Sequence, residues 1–292
     1  MQPEIATPVA VRPDFGGSHR SGGSIWDYGV VDRPENDQKR RRTKEEIREL
    51  LLEAGRRILI EEGLGVGAGD LTFKRVFDRV EATTGTRLTN ASVIRRVWEN
   101  QADYQADVLA SVAGAGDSTG ELLSTMAPLF GVLDRSSPEA RLRSITEVCR
   151  VAGDASFRAL VASRAWALWV GIWVLGATGA PSPHGERIRQ ALVGGYELDT
   201  EQWGELHAAL AAHLGLRLRA PLTIRHFTVA VGALVEGCAL RQIVAEDLTL
   251  FERPTGPGGA VQPWTLFAVG LEALAIEFFE LDPGWTLPSD GD

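Results

Sequence analysis

The chain has 292 residues, of which 44% are hydrophobic and 24% charged, and its formal net charge at neutral pH is −9. That length suffices for a sizeable core and points to two units rather than one. Bulk acidity excludes a protein that coats nucleic acid indiscriminately. The charge is unevenly spread: residues 39–98 hold 14 Lys/Arg against 9 Asp/Glu, whereas residues 99–292 hold 13 against 24. All three lysines, Lys39, Lys44 and Lys74, fall in the basic segment. Such an asymmetry fits a basic nucleic-acid module joined to an acidic body.

Cys149 and Cys238 are the only cysteines, and both lie in apolar stretches of helical pattern. Reduced, buried thiols in a cytoplasmic protein are expected, with a disulfide between the two left open. Residues 1–38 lack the apolar core of a secretory signal. The most hydrophobic stretch, Ala165 to Ala180, is bounded by Arg164 and Pro181. It falls short of the roughly 20 apolar residues that span a bilayer. A core helix is expected there, and no membrane partner.

In chain order, residues 1–38 mix Pro, Gly, Ser and charge without an apolar period, and read as a disordered extension. Ile25-Trp26-Asp27-Tyr28 is its one aromatic cluster. The basic arm Lys39 to Lys44 follows. A first helix is expected over Lys44 to Glu62, with Ile47, Leu50, Leu51, Ala54 and Ile58 on one face. Thr43 and Glu46 have the spacing of a capping box, and Gly63 ends the helix. Thr72 caps a second helix, with Leu71 and Val76 as a staple and Val76, Phe77 and Val80 turned inward. Glu81 to Arg87 reads as a turn. Thr89 caps a third helix, stapled by Leu88 and Val93. Asn100 caps a fourth, running through Tyr104, Val108 and Leu109 to about Ala113.

Gly114 to Thr119 is the expected boundary, so that residues 39–113 form one domain and 119–287 another. Helices are expected over about Glu121–Asp134, Pro138–Ala152, Ser156–Ala177, Gly185–Leu214, Pro221–Asp247 and Pro263–Leu281. Pro138, Pro221 and Pro263 would sit in first helical turns. Phe251 to Gln262 reads as a loop. No strand alternation is sustained, so the fold class is all-α.

Three short helices in this order describe a helix-turn-helix, whose last helix enters the major groove. With Val93 and Val97 inward, Asn90, Ala91, Ser92, Arg95 and Arg96 lie on or near the open face. Arg suits guanine, Asn suits adenine, and a small Ala permits close approach. Thr43, Lys44, Thr72 and Lys74 are placed for phosphate, helped by free N–H groups at helix starts, while Thr89 leads the reading helix with Asn90. The arm, with Arg41 and Arg42, would enter a minor groove or follow phosphates. Read singly, each of these residues is more simply a solvated surface group. Their combination favours double-stranded DNA as partner.

Glu45 to Ala113 resembles the DNA-binding region of TetR-family transcriptional regulators. The resemblance rests on Glu61-Glu62-Gly63 closing the first helix, on Thr72 to Val80, on Leu88-Thr89-Asn90-Ala91-Ser92-Val93, and on the polar break Glu99 to Asp103. It covers about 70 residues closely and is architectural beyond them. The turn Glu81 to Arg87 is longer than the family's. Ile94 stands where the family has an aromatic, which here falls at Trp98. The N-terminal extension is also additional. The resemblance implies a helix-turn-helix head and a variable, helical C-terminal domain that dimerises, binds a small effector and controls operator binding.

In the C-terminal part Trp166, Trp169 and Trp173 recur at three and four residues and share a helix face. Together with Trp203 and His207, one turn apart, they are candidates for the wall of an effector site for a small apolar or aromatic molecule. Core or interface packing is the plainer account of such a stripe. His184, His213 and His226 read as ordinary surface or core residues. No histidine pair has metal-ligand spacing with a carboxylate, so no metal and no cofactor is expected. The last two helices are apolar on more than one side, which in the family's architecture makes a homodimer interface. The expectation is a ligand-responsive, DNA-binding regulator, a repressor before an activator, on a pseudo-palindromic operator. The alternative is a helical scaffold that keeps the fold without operator recognition. No phosphate loop, Gly-x-Ser-x-Gly elbow or Cys/His cluster argues for an enzyme.

Overall fold

The structure is a computed structural model. It describes residues 42–64, 68–85, 87–88, 94, 96–114, 133–179, 181–245, 250–255 and 259–287. The chain divides into two units, Met1–Arg42 and Thr43–Asp292, and every element below belongs to the second. The fold is all-α, with two small antiparallel ribbons.

Helix α1 spans Lys44–Glu62. Thr43 Oγ1 accepts from the Glu46 N–H at 3.1 Å and Glu46 Oε2 accepts from the Thr43 N–H at 2.8 Å, completing the capping box. A cap of this kind stabilises a helix by about 1 kcal/mol. Gly63 closes it at φ 81°, a backbone angle that a side chain would strain. A 3-10 turn, Ala68–Asp70, leads to α2, Phe73–Thr84, capped by Thr72. Leu71 and Val76 are both buried, as a staple requires. Helix α3, Gln101–Ala113, is capped by Asn100 and buries Tyr104, Val108 and Leu109.

The body opens with α4, Pro138–Glu147, where Pro138 occupies the first turn behind the cap Ser137. A π turn, Val148–Ala152, carries the chain without interruption into α5, Gly153–Ala162. The axis then bends by 74° into α6, Arg164–Thr178. Helix α7, Pro183–His213, is the longest at 31 residues. Strand β1, Leu216–Leu218, pairs with β4, Phe279–Leu281. Between them come α8, Ile224–Ala245, the hairpin of β2, Phe251–Pro254, and β3, Val261–Trp264, and then α9, Leu266–Phe278.

One apolar core joins the first three helices to α6 and α7. Leu51, Ile58, Leu71, Val76, Val80, Ile94, Trp98, Tyr104 and Val108 pack together with Leu168 and Ile172 of α6 and Leu192 of α7. Helix α3 is therefore shared, with one side on α1 and the other on α6 and α7. At its end a Cβ on Gly195 of α7 would lie 2.5 Å from the Ala113 carbonyl oxygen, so this crossing requires glycine. Smaller clusters centre on Phe227, Cys149 and Phe279, and on Phe157 and Phe267.

Several boundaries differ from the sequence expectation. The segment 81–84 is not turn but the last turn of α2, capped by Gly85 at φ 65°. The helix break falls at Ser163, not near 153–155, because the Ser163 hydroxyl caps the Trp166 N–H at 3.2 Å. Pro221 follows a cis peptide ahead of α8, and Pro263 lies in β3, so neither begins a helix. Residues 251–264 form a hairpin rather than a loop. Leu133 and Asp134, the end of an expected helix, are not helical, and the rest of that helix lies outside the described residues. Both cysteines are free; Cys149 is buried but Cys238 only half-buried. Burial pushes the Cys149 thiol up to about 12.

Candidate nucleic-acid interface and its tie to the body

After α2, the described residues 94 and 96–98 show which side chains of this segment turn inward. Ile94 and Trp98, one turn apart, are both buried, and Val97 is half-buried. The Val97 and Trp98 N–H groups return to the Ile94 carbonyl at 2.8 and 2.9 Å. Arg96, between the inward residues, is exposed. Ile94 and Trp98 thus hold the inner face together with Val97, which packs against the same core as the sequence reading expected. Val93 itself lies outside the described residues.

Of the residues selected for DNA contact, Arg42, Lys44 and Arg96 are exposed. Thr72 spends its hydroxyl on the cap of α2, accepting from the Arg75 N–H at 3.4 Å. Lys74 is exposed but bonds Asp78 at 2.7 Å, one turn along. Arg41, Thr89, Asn90, Ser92 and Arg95 lie outside the described residues. The other arginines of α1 and α2 are held by acids. Arg56 reaches Glu49 and Glu53, Arg57 reaches Glu53, and Arg75 and Arg79 reach Glu62 and Glu61. Among the described residues of this region, Lys44 and Arg96 make no ion pair.

A polar knot lies behind the third helix. The Trp98 indole Nε1 donates to Asp107 Oδ2 at 2.9 Å. Arg48 of α1 donates to the same oxygen at 2.8 Å, and Arg187 of α7 donates to Oδ1 at 2.8 Å. The same Arg187 nitrogen also bonds Asp103 at 3.0 Å. Burial opposes the charge on Asp107, but the donors Trp98, Arg48 and Arg187 outweigh it and hold the carboxyl below its usual range. Trp98 packs edge-on against Tyr104 at 4.9 Å, and the Tyr104 hydroxyl donates to the Leu51 carbonyl at 2.8 Å. A second tie runs from Arg164 of α6 to the Glu61 carbonyl at 2.9 Å. Sequence reading missed Asp107 and Arg187. The available signal was the pair Asp103 and Asp107, one turn apart on a helix that is otherwise mostly apolar.

The five residues proposed for an effector wall are distributed over the body. Trp166 packs with Phe157 and Phe267. Trp169 meets the Tyr196 ring at 5.3 Å and borders the large core. Trp173 is 40% exposed. Trp203 and His207 are together, with ring centroids 5.9 Å apart. The His207 Nδ1 is 3.0 Å from the Thr228 hydroxyl of α8, and burial lowers this imidazole to about 4, so it is neutral at pH 7. Tyr196, Asp199, Trp203 and His207 share one face of α7. The Tyr196 hydroxyl donates to Glu236 of α8 at 2.5 Å. Burial raises both Glu236 and Asp199. This polar ladder between α7 and α8 was also missed, apart from its Trp203–His207 end.

Helix α8 is 22 residues long and apolar enough to cross a membrane by length and composition, yet only 17% of its most apolar window is buried. Val229 and Val244 on α8, and Leu266 and Ile276 on α9, are exposed. Among the described residues no group of three His, Cys, Asp or Glu is arranged to hold a metal ion.

No protein-family model and no curated protein sequence matches the chain. Among solved structures, the complex of SmeT with triclosan is similar over 83% of this chain and 97% of that one, at 14% sequence identity and a TM-score of 0.41.

Proposed function

We propose that this protein is a DNA-binding transcriptional regulator of the TetR type, cytoplasmic and homodimeric, whose operator affinity answers a small apolar or aromatic effector. The observation that carries the reading is the head itself. Two capped helices are followed by a segment whose inner face is pinned by Ile94 and Trp98 and which leaves Arg96 in solvent. That is the register a groove-reading helix needs, with Asn90, Ser92 and Arg95 as the remaining reading residues.

The open apolar surface of α8 and α9 supports a second copy as partner. Exposed Val244, Ile276 and Leu266 on two neighbouring helices carry a cost in water that a twin would remove. A two-fold dimer would set two heads on a pseudo-palindromic site. Of the aromatic groups considered for the effector, Trp203 and the neutral His207 adjoin one another and Trp169 meets Tyr196 on the same face of α7, so an uncharged aromatic effector is the class these groups suit.

One observation favours the alternative, a helical scaffold without operator recognition. Most cations of α1 and α2 are already bound to carboxylates, which leaves little charge for phosphate. The test is selection of bound duplexes from a random DNA pool. The regulator reading expects a palindromic consensus, and loss of its binding in Arg95→Ala with Arg96→Ala at unchanged helical circular dichroism. Recovery of no consensus favours the scaffold.

A further inference from the structure

We propose that Asp107 is a positioning residue for the DNA-reading segment, a carboxylate through which Arg187 of the body sets the pose of Trp98. The inference rests on the DNA-binding reading above and concerns how that same site is controlled.

The argument starts from the two oxygens. Oδ2 takes the Trp98 indole N–H and the Arg48 guanidinium, so it fixes the end of the reading segment against α1. Oδ1 takes Arg187, whose other acceptor is Asp103 one turn earlier on α3. Three segments far apart in sequence therefore end on one planar group. A carboxylate cannot rotate to suit one donor without altering its geometry to the others. Trp98 itself is 3% exposed, and its ring lies against Tyr104. A change in its tilt is therefore passed to the backbone rather than absorbed by solvent.

The exposures differ in an informative way. The side chains of Asp107 and Arg187 are 14% and 41% exposed. Arg187 is thus partly wet while paired with two carboxylates, whereas Asp107 and Trp98 lie inside. Asp103 and His184 are the remaining titratable groups at this corner, with His184 Nε2 3.7 Å from Asp103 Oδ1. Loss of Arg187 would leave Asp107 with Arg48 alone as counter-charge and free the carboxylate to follow α1.

The test is a double-mutant cycle on affinity for a duplex recovered by the wild-type protein from random DNA. Trp98→Phe keeps the ring and removes the N–H; Arg187→Gln removes the charge from a partly exposed site. Each single variant is expected to weaken binding about 3- to 10-fold. Because both act through Asp107, the double variant should be no weaker than the worse single, and Asp107→Asn should match it. Arg187→Lys, which restores a charged donor, should recover most of the loss. A simple loss of fold would show instead in circular dichroism and would make the losses multiply. Multiplying losses, or an Arg187→Gln protein that binds like wild type, would overturn the inference and leave the DNA-binding reading intact. If the wild-type chain retains no DNA, the reading falls and the inference with it.

Discussion

Gly55 of α1 lies directly beneath Tyr104 of α3: a Cβ at position 55 would be 2.5 Å from the Tyr104 hydroxyl oxygen and 2.8 Å from a Val108 methyl. The two helices approach this closely because the glycine is there. The same hydroxyl donates to the Leu51 carbonyl, so the approach is held by a hydrogen bond as well as by packing. Gly55→Ala would gain about 1 kcal/mol of helix propensity. Overpacking costs about 1–3 kcal/mol, and displacement of a buried hydrogen bond adds to it. The expected result is a net loss, read as a thermal midpoint lower by several degrees. A stabilised variant would show that α1 and α3 have room to part.

His207 gives the body a pH dependence of known sign. Burial depresses its folded-state value to about 4 from the ordinary 6.5, so the unfolded chain binds the proton more readily. Stability from this group is complete above pH 6.5 and is lost as the pH falls towards 4. At about 1.36 kcal/mol per unit, the loss is on the order of 3 kcal/mol. Asp199 and Glu236 are raised by burial and act in the opposite direction, as the pH rises through the ordinary carboxylate range. Urea midpoints of wild type and His207→Gln between pH 7 and 4.5 should converge as the pH falls. Parallel curves would mean that His207 does not titrate in this window.

Tyr196→Phe removes the donor from Glu236 and keeps the ring on Trp169. Glu236 is half-buried, so an unpaired charge there costs about 1–3 kcal/mol. The cost belongs to the ionised carboxyl, so the loss at pH 7 should shrink towards pH 5. An equal loss at both values would place the effect in packing alone.

The proposed dimer face is tested by charge. Val244 is 82% exposed on α8 and Ile276 is 60% exposed on α9. Val244→Glu with Ile276→Glu leaves the monomer core untouched but would bury two carboxylates against a twin. Sedimentation should shift to the monomer, by at least about 100-fold in dissociation constant for a cost near 3 kcal/mol. A dimer that survives both substitutions uses another surface.

What the sequence disclosed was mostly local chemistry. Thr43, Thr72 and Asn100 were readable as caps because a capping side chain bonds a backbone group two or three residues away. The apolar faces of α1 and α3 were readable because helical period needs no tertiary knowledge. Proline misled at 221 and 263, since a residue that suits a first helical turn suits a turn or an edge strand as well. The extension of α2 to Thr84 was hidden by Thr83 and Thr84, poor helix formers whose hydroxyls return to carbonyls of the preceding turn. Trp98 was noticed only as an aromatic out of place. Its role depends on residues 48, 107 and 187, which no spacing rule connects. Glu236 and Tyr196 are 40 positions apart and met the same obstacle.

The belt of ion pairs on α1 and α2 changes what a DNA phosphate would encounter. Arg56, Arg57, Arg75 and Arg79 are neutralised from within by Glu49, Glu53, Glu62 and Glu61, so they have little free charge with which to displace the counterions of a duplex. Each phosphate contact made by an unpaired cation steepens the logarithmic dependence of affinity on salt by about 0.9. An inventory of basic residues would therefore overstate the share of α1 and α2 in that response, which the pairing leaves to Lys44, Arg96 and the basic arm. Discrimination between DNA sequences should then persist at ionic strengths that strip off a protein held by charge alone.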